Sequence, residues 1–248
     1  MRHSTKGYLS MAFSPTQSPV YGGDTLFIRL DPQQLSGVES KYFVVFEGTR
    51  RRHVVSARKS PGADGELVAL IPGHDLAEEV SVTLVQVTEE EVDKSGEVGV
   101  GVCNSYASLA HCYLQYEYDS TFYLTKFLTS SVYNDHALDN LELIKSDRFD
   151  LSNEVLSTLD VRLSRALRNA NLSTSWHLLG GDSIRDAHCE ERETLLHFCA
   201  RLGLQQVASY LLEQPGNEDA LQLTNRHGEL PQDVARAYGF LHLAEMLS

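Results

Sequence analysis

The chain has 248 residues, 42% of them hydrophobic and 22% charged, which suits one large or two modest domains with real cores. Its formal net charge is −13, from 21 basic and 34 acidic residues. This balance argues against a general nucleic-acid surface and an anionic-membrane surface, since both need clustered lysine and arginine. No run approaches about 18 consecutive apolar residues, so no membrane span is predicted.

The N-terminal segment, residues 1–18, lacks the apolar stretch of a signal peptide and shows no structural periodicity. We therefore expect a disordered N-terminus and a cytoplasmic protein. The four cysteines form no Cys-x-x-Cys pair, which argues against a zinc or redox motif and favours reduced thiols; they are Cys103, Cys112, Cys189 and Cys199. No cofactor or metal is predicted.

Short runs rich in Val, Phe and Ile begin near Val20 and are separated by turn residues roughly every ten positions. This pattern is typical of a β-sandwich, and we expect an immunoglobulin-like domain over residues 19–118. The acidic segment Glu89–Gly96 is predicted to be a solvated hairpin loop. The expected strands are Thr25–Leu30, Lys41–Phe46, Arg52–Ser56, Glu66–Ile71, Val80–Val87, Val98–Cys103 and His111–Tyr118.

Residues 119–185 are predicted to form a helical linker. Asp119 precedes Ser and Thr in the arrangement of a helix cap. Further helices are expected over Ala137–Ile144 and Ser152–Asn169, the latter with an apolar stripe at helical spacing: Val155, Leu156, Leu159, Leu163, Ala166 and Leu167. We expect Trp176 to pack this linker against the first helix of the segment that follows.

Residues 186–248 contain two similar blocks, Glu193–Gly203 and Gly228–Gly239, with a period of 36 residues. An apolar helical run follows each block. The first block reads Thr194-Leu-Leu-His-Phe-Cys-Ala200, which resembles the ankyrin signature Thr-Pro-Leu-His-x-Ala. The resemblance implies a pair of ankyrin-like helical repeats, in which His197 would bond backbone between neighbouring repeats. Because about three repeats are usually needed for stability, we expect either that neighbouring segments cap this pair or that the chain is a fragment.

Candidates for chemistry are few. The basic run Arg50-Arg-Arg-His53 is interpreted as a solvated edge strand, since charged edges prevent sheet-to-sheet aggregation. His74-Asp75 lacks a nucleophile motif, and no glycine-rich phosphate loop is present. The sequence therefore predicts no catalytic site, and the chain is not expected to be an enzyme.

Several blocks in a set order resemble the N-terminal region of the large Rho guanine-nucleotide exchange factors of the A-kinase-anchoring, lymphoid-blast-crisis type and their 190-kDa neuronal relative. The blocks are Ser18-Pro-Val-Tyr-Gly22, Tyr42–Phe46 with Arg52-His53, Ile71-Pro-Gly-His-Asp75, Leu159–Leu167 with Trp176–Gly180, and Glu193–Gly203. The resemblance implies an intracellular signalling protein. It also implies that exchange on a Rho GTPase is carried by downstream Dbl-homology and pleckstrin-homology domains, which this chain does not resemble.

The leading hypothesis is a non-catalytic regulatory or scaffolding module that binds proteins. A rigid repeat stack presents preorganised side chains, which lowers the entropy lost on binding. We expect the partner-binding residues to be exposed ones near the repeat tips: Arg192, Asn225, Arg226, His227 and Glu229.

Two alternatives also join an immunoglobulin-like domain to ankyrin repeats. One is a cytoplasmic adaptor of the B-cell phosphoinositide-kinase type, for which Tyr116 and Tyr118, in an acidic setting, are candidate recognition tyrosines. The other is a transcription regulator that binds DNA, and the net charge of −13 argues against it.

Overall fold

A computed structural model of the chain describes residues 12–30, 40–61, 65–92, 101–134, 137–138, 155–180 and 192–248. The chain divides into two compact units, Met1–Tyr118 (unit 1) and Asp119–Ser248 (unit 2). The mixed architecture expected from the sequence is confirmed. Unit 1 contains a curled sheet of eight strands, and the described part of unit 2 contains seven helices.

The strands of unit 1 vary from three to 17 residues in length. In chain order they are β1 (Ala12–Ser14), β2 (Gln17–Pro19), β3 (Thr25–Arg29), β4 (Ser40–Glu47), β5 (Arg52–Lys59), β6 (Glu66–Leu70), β7 (Glu79–Val92) and β8 (Gly101–Glu117).

One sheet joins these strands in the spatial order β1-β3-β6-β5-β4-β7-β8-β2. The edge strands β1 and β2 are separated in sequence by only Pro15 and Thr16. Because so short a link spans about 11 Å, the sheet must curl until its two edges approach each other. The change of partner falls in β5, which pairs with β4 as far as Ala57 and with β6 from Arg58.

Strand alternation directs one face of each strand into the curled sheet. The inward residues of β3, β4 and β6 are buried; they are Leu26, Ile28, Tyr42, Val44, Phe46, Leu67 and Ala69. Tyr116 of β8 is also fully buried, and its hydroxyl donates a 2.8 Å hydrogen bond to the Pro72 carbonyl. The interpretation of Tyr116 as an accessible recognition tyrosine is therefore wrong, whereas Tyr118 is 40% exposed.

The expected disorder of residues 1–18 is wrong for the part that the structure describes. β1 pairs with β3, and β2 pairs with β8. Ser18 is buried, and its hydroxyl donates to the Asp24 carboxylate at 3.0 Å. Strands of three residues are too short to show a period in the sequence, which is why the pattern does not reveal them. Residues 1–11 lie outside the described part.

β7 and β8 form one long hairpin. The two strands predicted at Val98–Cys103 and His111–Tyr118 fall, over Gly101–Cys103 and His111–Glu117, in a single strand whose pairing with β7 runs from Gly101 to Gln115. The predicted loop Glu89–Gly96 begins as strand, since Glu89–Val92 pair with β8, and its remainder lies outside the described residues. Cross-strand pairing extends through the small and polar residues of β8, which local hydrophobicity does not mark as strand.

The helices of unit 2 are α1 (Ser120–Ser131), α2 (Leu156–Asn169), α3 (Leu195–Leu202), α4 (Gln205–Leu212), α5 (Asn217–Gln222), α6 (Pro231–Ala237) and α7 (Leu241–Met246). Asp119 caps α1 as predicted, because its carboxylate accepts a 2.8 Å hydrogen bond from the Phe122 N–H. The helix predicted over Ala137–Ile144 lies outside the described residues except for Ala137 and Leu138, which form a turn.

One apolar core connects the described helices of unit 2, with buried residues from all seven of them. Trp176 is buried in this core, and its indole N–H donates to the Thr129 carbonyl of α1 at 3.0 Å. The predicted stripe of α2 is wrong at its start: Val155 is 67% exposed and Leu156 is 40% exposed. Val155 precedes the first helical turn as the N-cap, so helical spacing does not apply to it.

A buried carboxylate joins α2 to α4. Asp160 accepts hydrogen bonds from the Gln206 N–H at 2.9 Å and the Val207 N–H at 3.0 Å. The residue that precedes α4, Leu204, offers no side-chain cap. Asp160 therefore caps α4 from a different helix and places a negative charge at its N-terminal end, where the helix dipole favours it.

We expect Asp160→Ala to lower the free energy of unfolding by about 2 kcal/mol, because two N–H groups lose an anionic acceptor. Asp160→Asn, which keeps one carbonyl oxygen, should lose less. Urea denaturation followed by circular dichroism measures both effects. Glu213→Ala, at an exposed carboxylate in the same unit, is the matched control. Equal unfolding midpoints for Asp160→Ala and the control would contradict the capping role.

Candidate interaction surface

The C-terminal helices form two pairs of similar build, α3 with α4 and α6 with α7. Thr194 caps α3, and Gly203 follows it with a φ of 70°. Pro231 opens α6, and Gly239, with a φ of 84°, lies between α6 and α7. Both glycines have the left-handed backbone that other residues adopt at a cost. α3 packs against α4 and α6, so the two pairs lie side by side.

His197 links the two pairs. Its ring is fully buried in the first turn of α3, and Nε2 lies 3.0 Å from the Glu229 carbonyl at the entrance to the second pair. Nδ1 accepts a hydrogen bond from the Thr194 N–H at 3.1 Å and lies 2.9 Å from the Thr194 hydroxyl. The predicted bond from His197 to the backbone of the neighbouring helix pair is therefore present.

These contacts select one protonation state of His197. Because Nδ1 faces the Thr194 N–H, it must carry a lone pair, and the ring proton sits on Nε2, where it donates to the Glu229 carbonyl. Burial lowers the pKa of His197 below its ordinary value of 6.5. The neutral Nε2-protonated ring is the form that satisfies both helix pairs.

The turn at residues 225–229 is organised by the Asn225 side chain. Its Oδ1 accepts hydrogen bonds from the His227 N–H at 2.9 Å and the Glu229 N–H at 3.0 Å. Its Nδ2 donates to the Glu229 carboxylate at 3.0 Å. Three bonds from one buried amide hold the turn in a single shape. The turn in this shape places the Glu229 carbonyl beside Nε2 of His197.

The structure separates the five predicted partner-binding residues into two groups. Arg226 and His227 are exposed at the tip of the turn, and Glu229 is half-buried beside them. Arg192 and Asn225 are 4% and 1% exposed, so the expectation that they are exposed is wrong. Arg192 donates to the Val132 carbonyl at 3.1 Å and Asn225 supports the turn, which gives both residues contacts inside the unit. Whether any of the five binds a partner stays a prediction.

The first helix pair carries an ion pair near the second. Arg201 contacts the Glu193 carboxylate through Nε at 2.8 Å and through a second nitrogen at 3.2 Å. The same guanidinium lies 5.9 Å from the centre of the exposed Tyr238 ring, at the end of α6. Arg201 thereby extends the contact between the two pairs toward the solvent.

Unit 1 contains a histidine cluster that the sequence does not reveal. His74 is buried; its Nδ1 lies 3.2 Å from Nε2 of His53, and its Nε2 lies 2.8 Å from Glu78. The hydrogen bond from His74 lowers the pKa of Glu78, whereas burial, followed by the nearby His74, lowers that of His53. The Thr49 N–H donates to the same Glu78 oxygen at 3.0 Å.

This cluster connects the β4–β5 turn to the segment before β7. An added Cβ at Gly48 would lie 2.5 Å from Glu78 and 2.7 Å from the His74 ring, so a larger residue there would force these side chains to shift. The motif residues His53 and His74-Asp75 are 21 positions apart, and their spacing alone gives no sign that they meet.

Within the described ranges, no group of His, Cys, Asp and Glu side chains is arranged to hold a metal ion. Over the same residues, none of the helices has the length and apolar character needed to cross a membrane.

We expect the stability of the protein to fall as the pH drops below about 6.5, because the unfolded chain binds a proton at His197 more readily than the folded protein does. The slope contributed by one such group is at most about 1.4 kcal/mol per pH unit. His197→Gln keeps a donor and an acceptor but does not titrate, so its slope between about pH 6.5 and 5 should be shallower. Urea denaturation across this range measures it.

His227→Gln, at an exposed histidine of the same unit, is the matched control and should keep the wild-type slope. Identical slopes for His197→Gln and the wild type would contradict a neutral, buried His197.

Comparison with known proteins gives relatives over nearly the whole chain. No family model matches the sequence. Rho guanine nucleotide exchange factor 28 of Homo sapiens is 26% identical over 235 residues, and the Rattus norvegicus protein of the same name is 27% identical over 238 residues. The matches cover 95% and 96% of this chain, but the chain spans only 13% of the length of each relative.

A second group matches a shorter part of the chain. Phosphoinositide 3-kinase adapter protein 1 of Mus musculus is 34% identical over 96 residues, which is 36% of this chain and 12% of that protein. The relation to the N-terminal region of the large Rho exchange factors, predicted from the order of the sequence motifs, is confirmed.

Proposed function

We propose that the chain is a non-catalytic protein-interaction and regulatory module, equivalent to the N-terminal part of a Rho guanine-nucleotide exchange factor without its exchange domain. In this proposal unit 1 is an immunoglobulin-like β-sandwich, the helices between Asp119 and residue 185 are a linker that caps the repeats, and the two C-terminal helix pairs are ankyrin-like repeats. The partners are proteins, and the location is the cytoplasm. Nucleic acid and membrane spans have no part in it, in keeping with the net charge of −13.

The ankyrin-like interpretation is supported by the ends of the helices. Thr194 and His197 form a reciprocal cap at the start of α3. In the second pair Asp233 supplies the equivalent acceptor, since its carboxylate takes a hydrogen bond from the Leu230 N–H at 3.4 Å. The bond from His197 to the Glu229 carbonyl then connects successive pairs. The first-pair contacts involve Thr194 and His197, the residues that match the Thr and His of the ankyrin signature.

The observation that carries the proposal is the braced turn at residues 225–229. Arg226 and His227 are exposed on a turn whose backbone is held by Asn225 and joined to the core by His197. A surface that is ordered before binding loses little conformational entropy when a partner docks. The arrangement suits recognition, and we assign the tip formed by Arg226, His227 and Glu229 as the partner-binding surface.

A double charge reversal tests this surface. Arg226→Glu with His227→Glu should reduce the recovery of specific partners from cytosol at least fivefold, as measured by quantitative mass spectrometry of co-purified proteins. Lys126→Glu with His242→Glu changes the same residue classes at exposed positions elsewhere in unit 2 and is the matched control. Equal recovery by the two variants would contradict a binding role for the tip.

The non-catalytic part of the proposal has a separate test. Added to a Rho GTPase loaded with a fluorescent guanine nucleotide, the chain should leave the release rate of the nucleotide unchanged, because the proposal places exchange in domains outside this chain. An acceleration that rises with the concentration of the chain would overturn it.

A second candidate function is a cytoplasmic signalling adaptor, which the 34% identity to phosphoinositide 3-kinase adapter protein 1 favours. The buried Tyr116 offers no support for recognition through that tyrosine in the folded protein. Tyr118, 40% exposed, is the position on which this candidate depends. Because both candidates are non-catalytic interaction modules, they differ in the partner rather than in the chemistry.

A further inference from the structure

We propose that the open edge of β5 binds an extended acidic segment of a partner protein as an added antiparallel strand. The proposal extends the interaction function to unit 1. It uses none of the residues of the turn at 225–229, so either surface can fail its test without the other.

β5 is unpaired along part of the side that faces away from β4. Over Arg52–Ala57 it pairs with β4, and within the described residues its only other strand contact is with β6, at Arg58 and Lys59. Among the strands that the structure describes, the stretch from Arg52 to Ser56 is therefore a sheet edge. Val54, in the middle of this stretch, is 59% exposed, so the edge is open to solvent at that point.

The direction of the free backbone groups follows from the hairpin register. The Gly48 N–H donates to the Arg51 carbonyl at 3.0 Å, so Arg51 faces β4. Hydrogen-bonded and non-hydrogen-bonded pairs alternate in an antiparallel ladder. Arg52, Val54 and Ser56 consequently direct their N–H and C=O groups away from β4. These are the groups to which a new strand would bond.

The side chains along this edge set the chemistry of the partner. The hairpin of residues 40–61 carries six basic side chains and a single acidic one, in a chain whose net charge is −13; the basic ones are Lys41, Arg50, Arg51, Arg52, Arg58 and Lys59. Arg51 lies 3.6 Å from Asp75, but Arg52, Arg58 and Lys59 are exposed. A concentration of positive charge on an acidic protein favours an acidic partner by charge complementarity.

The same edge has an apolar centre. Val54 lies opposite Val45, and Ser56 lies opposite Phe43, on the outer face of the sheet. A shallow depression of about 350 Å³ lies where β5 leaves β4, and the residues that line it include Lys41, Phe43, Ser56 and Arg58. The surface is thus positive at both ends of the strand and apolar between them.

These positions define the partner segment. The ladder of an antiparallel added strand would end at Ser56, because β6 already pairs with Arg58. An apolar residue of the partner would lie opposite Val54, and an acidic residue would lie opposite Arg52 two positions later. A second acidic residue, two positions before the one opposite Ser56, would leave the sheet within reach of the Arg58 guanidinium. A charged edge can also serve only to prevent aggregation. That role requires no acidic ligand, and binding measurements separate the two.

The probe is a fluorescent peptide with Glu at positions 1 and 7, Val at position 5 and Thr at the other positions. We expect it to bind the whole chain in a fluorescence anisotropy titration at low salt, at least tenfold more tightly than the same peptide with Lys in place of Glu. Arg52→Glu with Arg58→Glu should weaken binding of the Glu peptide at least tenfold and strengthen binding of the Lys peptide. Arg168→Glu with Arg236→Glu, at exposed arginines of unit 2, should bind as the wild type does.

Backbone methylation separates strand addition from simple charge attraction. Peptide residues 3 and 5 would direct their N–H groups toward β5, so N-methylation at these positions should abolish binding. N-methylation at positions 4 and 6, whose N–H groups face away, should be tolerated. Equal binding of the two methylated peptides, or equal binding of the Glu and Lys peptides, would overturn the proposal.

Discussion

The arrangement of unit 2 depends on one buried imidazole that satisfies two helix pairs at once. His197 accepts the Thr194 N–H at the start of α3 and donates to the Glu229 carbonyl at the start of the second pair. Only the neutral ring with its proton on Nε2 can make both bonds, and burial favours that form. The turn braced by Asn225 is thereby attached to the core, and the exposed side chains at its tip are held in a fixed position.

In unit 1, the strand pairing leaves part of the β5 edge exposed to solvent. The curled sheet buries its inner face. The pairing of β5 with β4 ends at Ala57, and its pairing with β6 begins at Arg58. The histidine cluster ties the basic turn of this hairpin to the segment before β7 through His74 and Glu78. Each unit therefore has one proposed surface, the turn at residues 225–229 in unit 2 and the edge of β5 in unit 1. In both, exposed side chains lie on a backbone that hydrogen bonds hold in place.

Much of this fold is readable in the sequence because the relevant signals are local. The alternation of β3 to β6, the Asp119 cap and the spacing of Leu159, Leu163 and Leu167 each follow from neighbouring residues. What the sequence does not reveal depends on distant contacts. Asp160 caps a helix 46 residues away, and Asn225 looks like a solvated turn residue until its hydrogen bonds are seen. The burial of Arg192 and Tyr116 likewise depends on backbone carbonyls far along the chain.

Amide hydrogen exchange of His197→Ala tests most directly whether one imidazole couples the two helix pairs. With His197 replaced, the Glu229 carbonyl loses its donor and the turn loses its attachment to α3. We predict that protection falls in α3 and throughout residues 225–246, while the strands of unit 1 keep theirs. Loss of protection confined to α3, with α6 and α7 as protected as in the wild type, would contradict the coupling and with it the account of the braced surface.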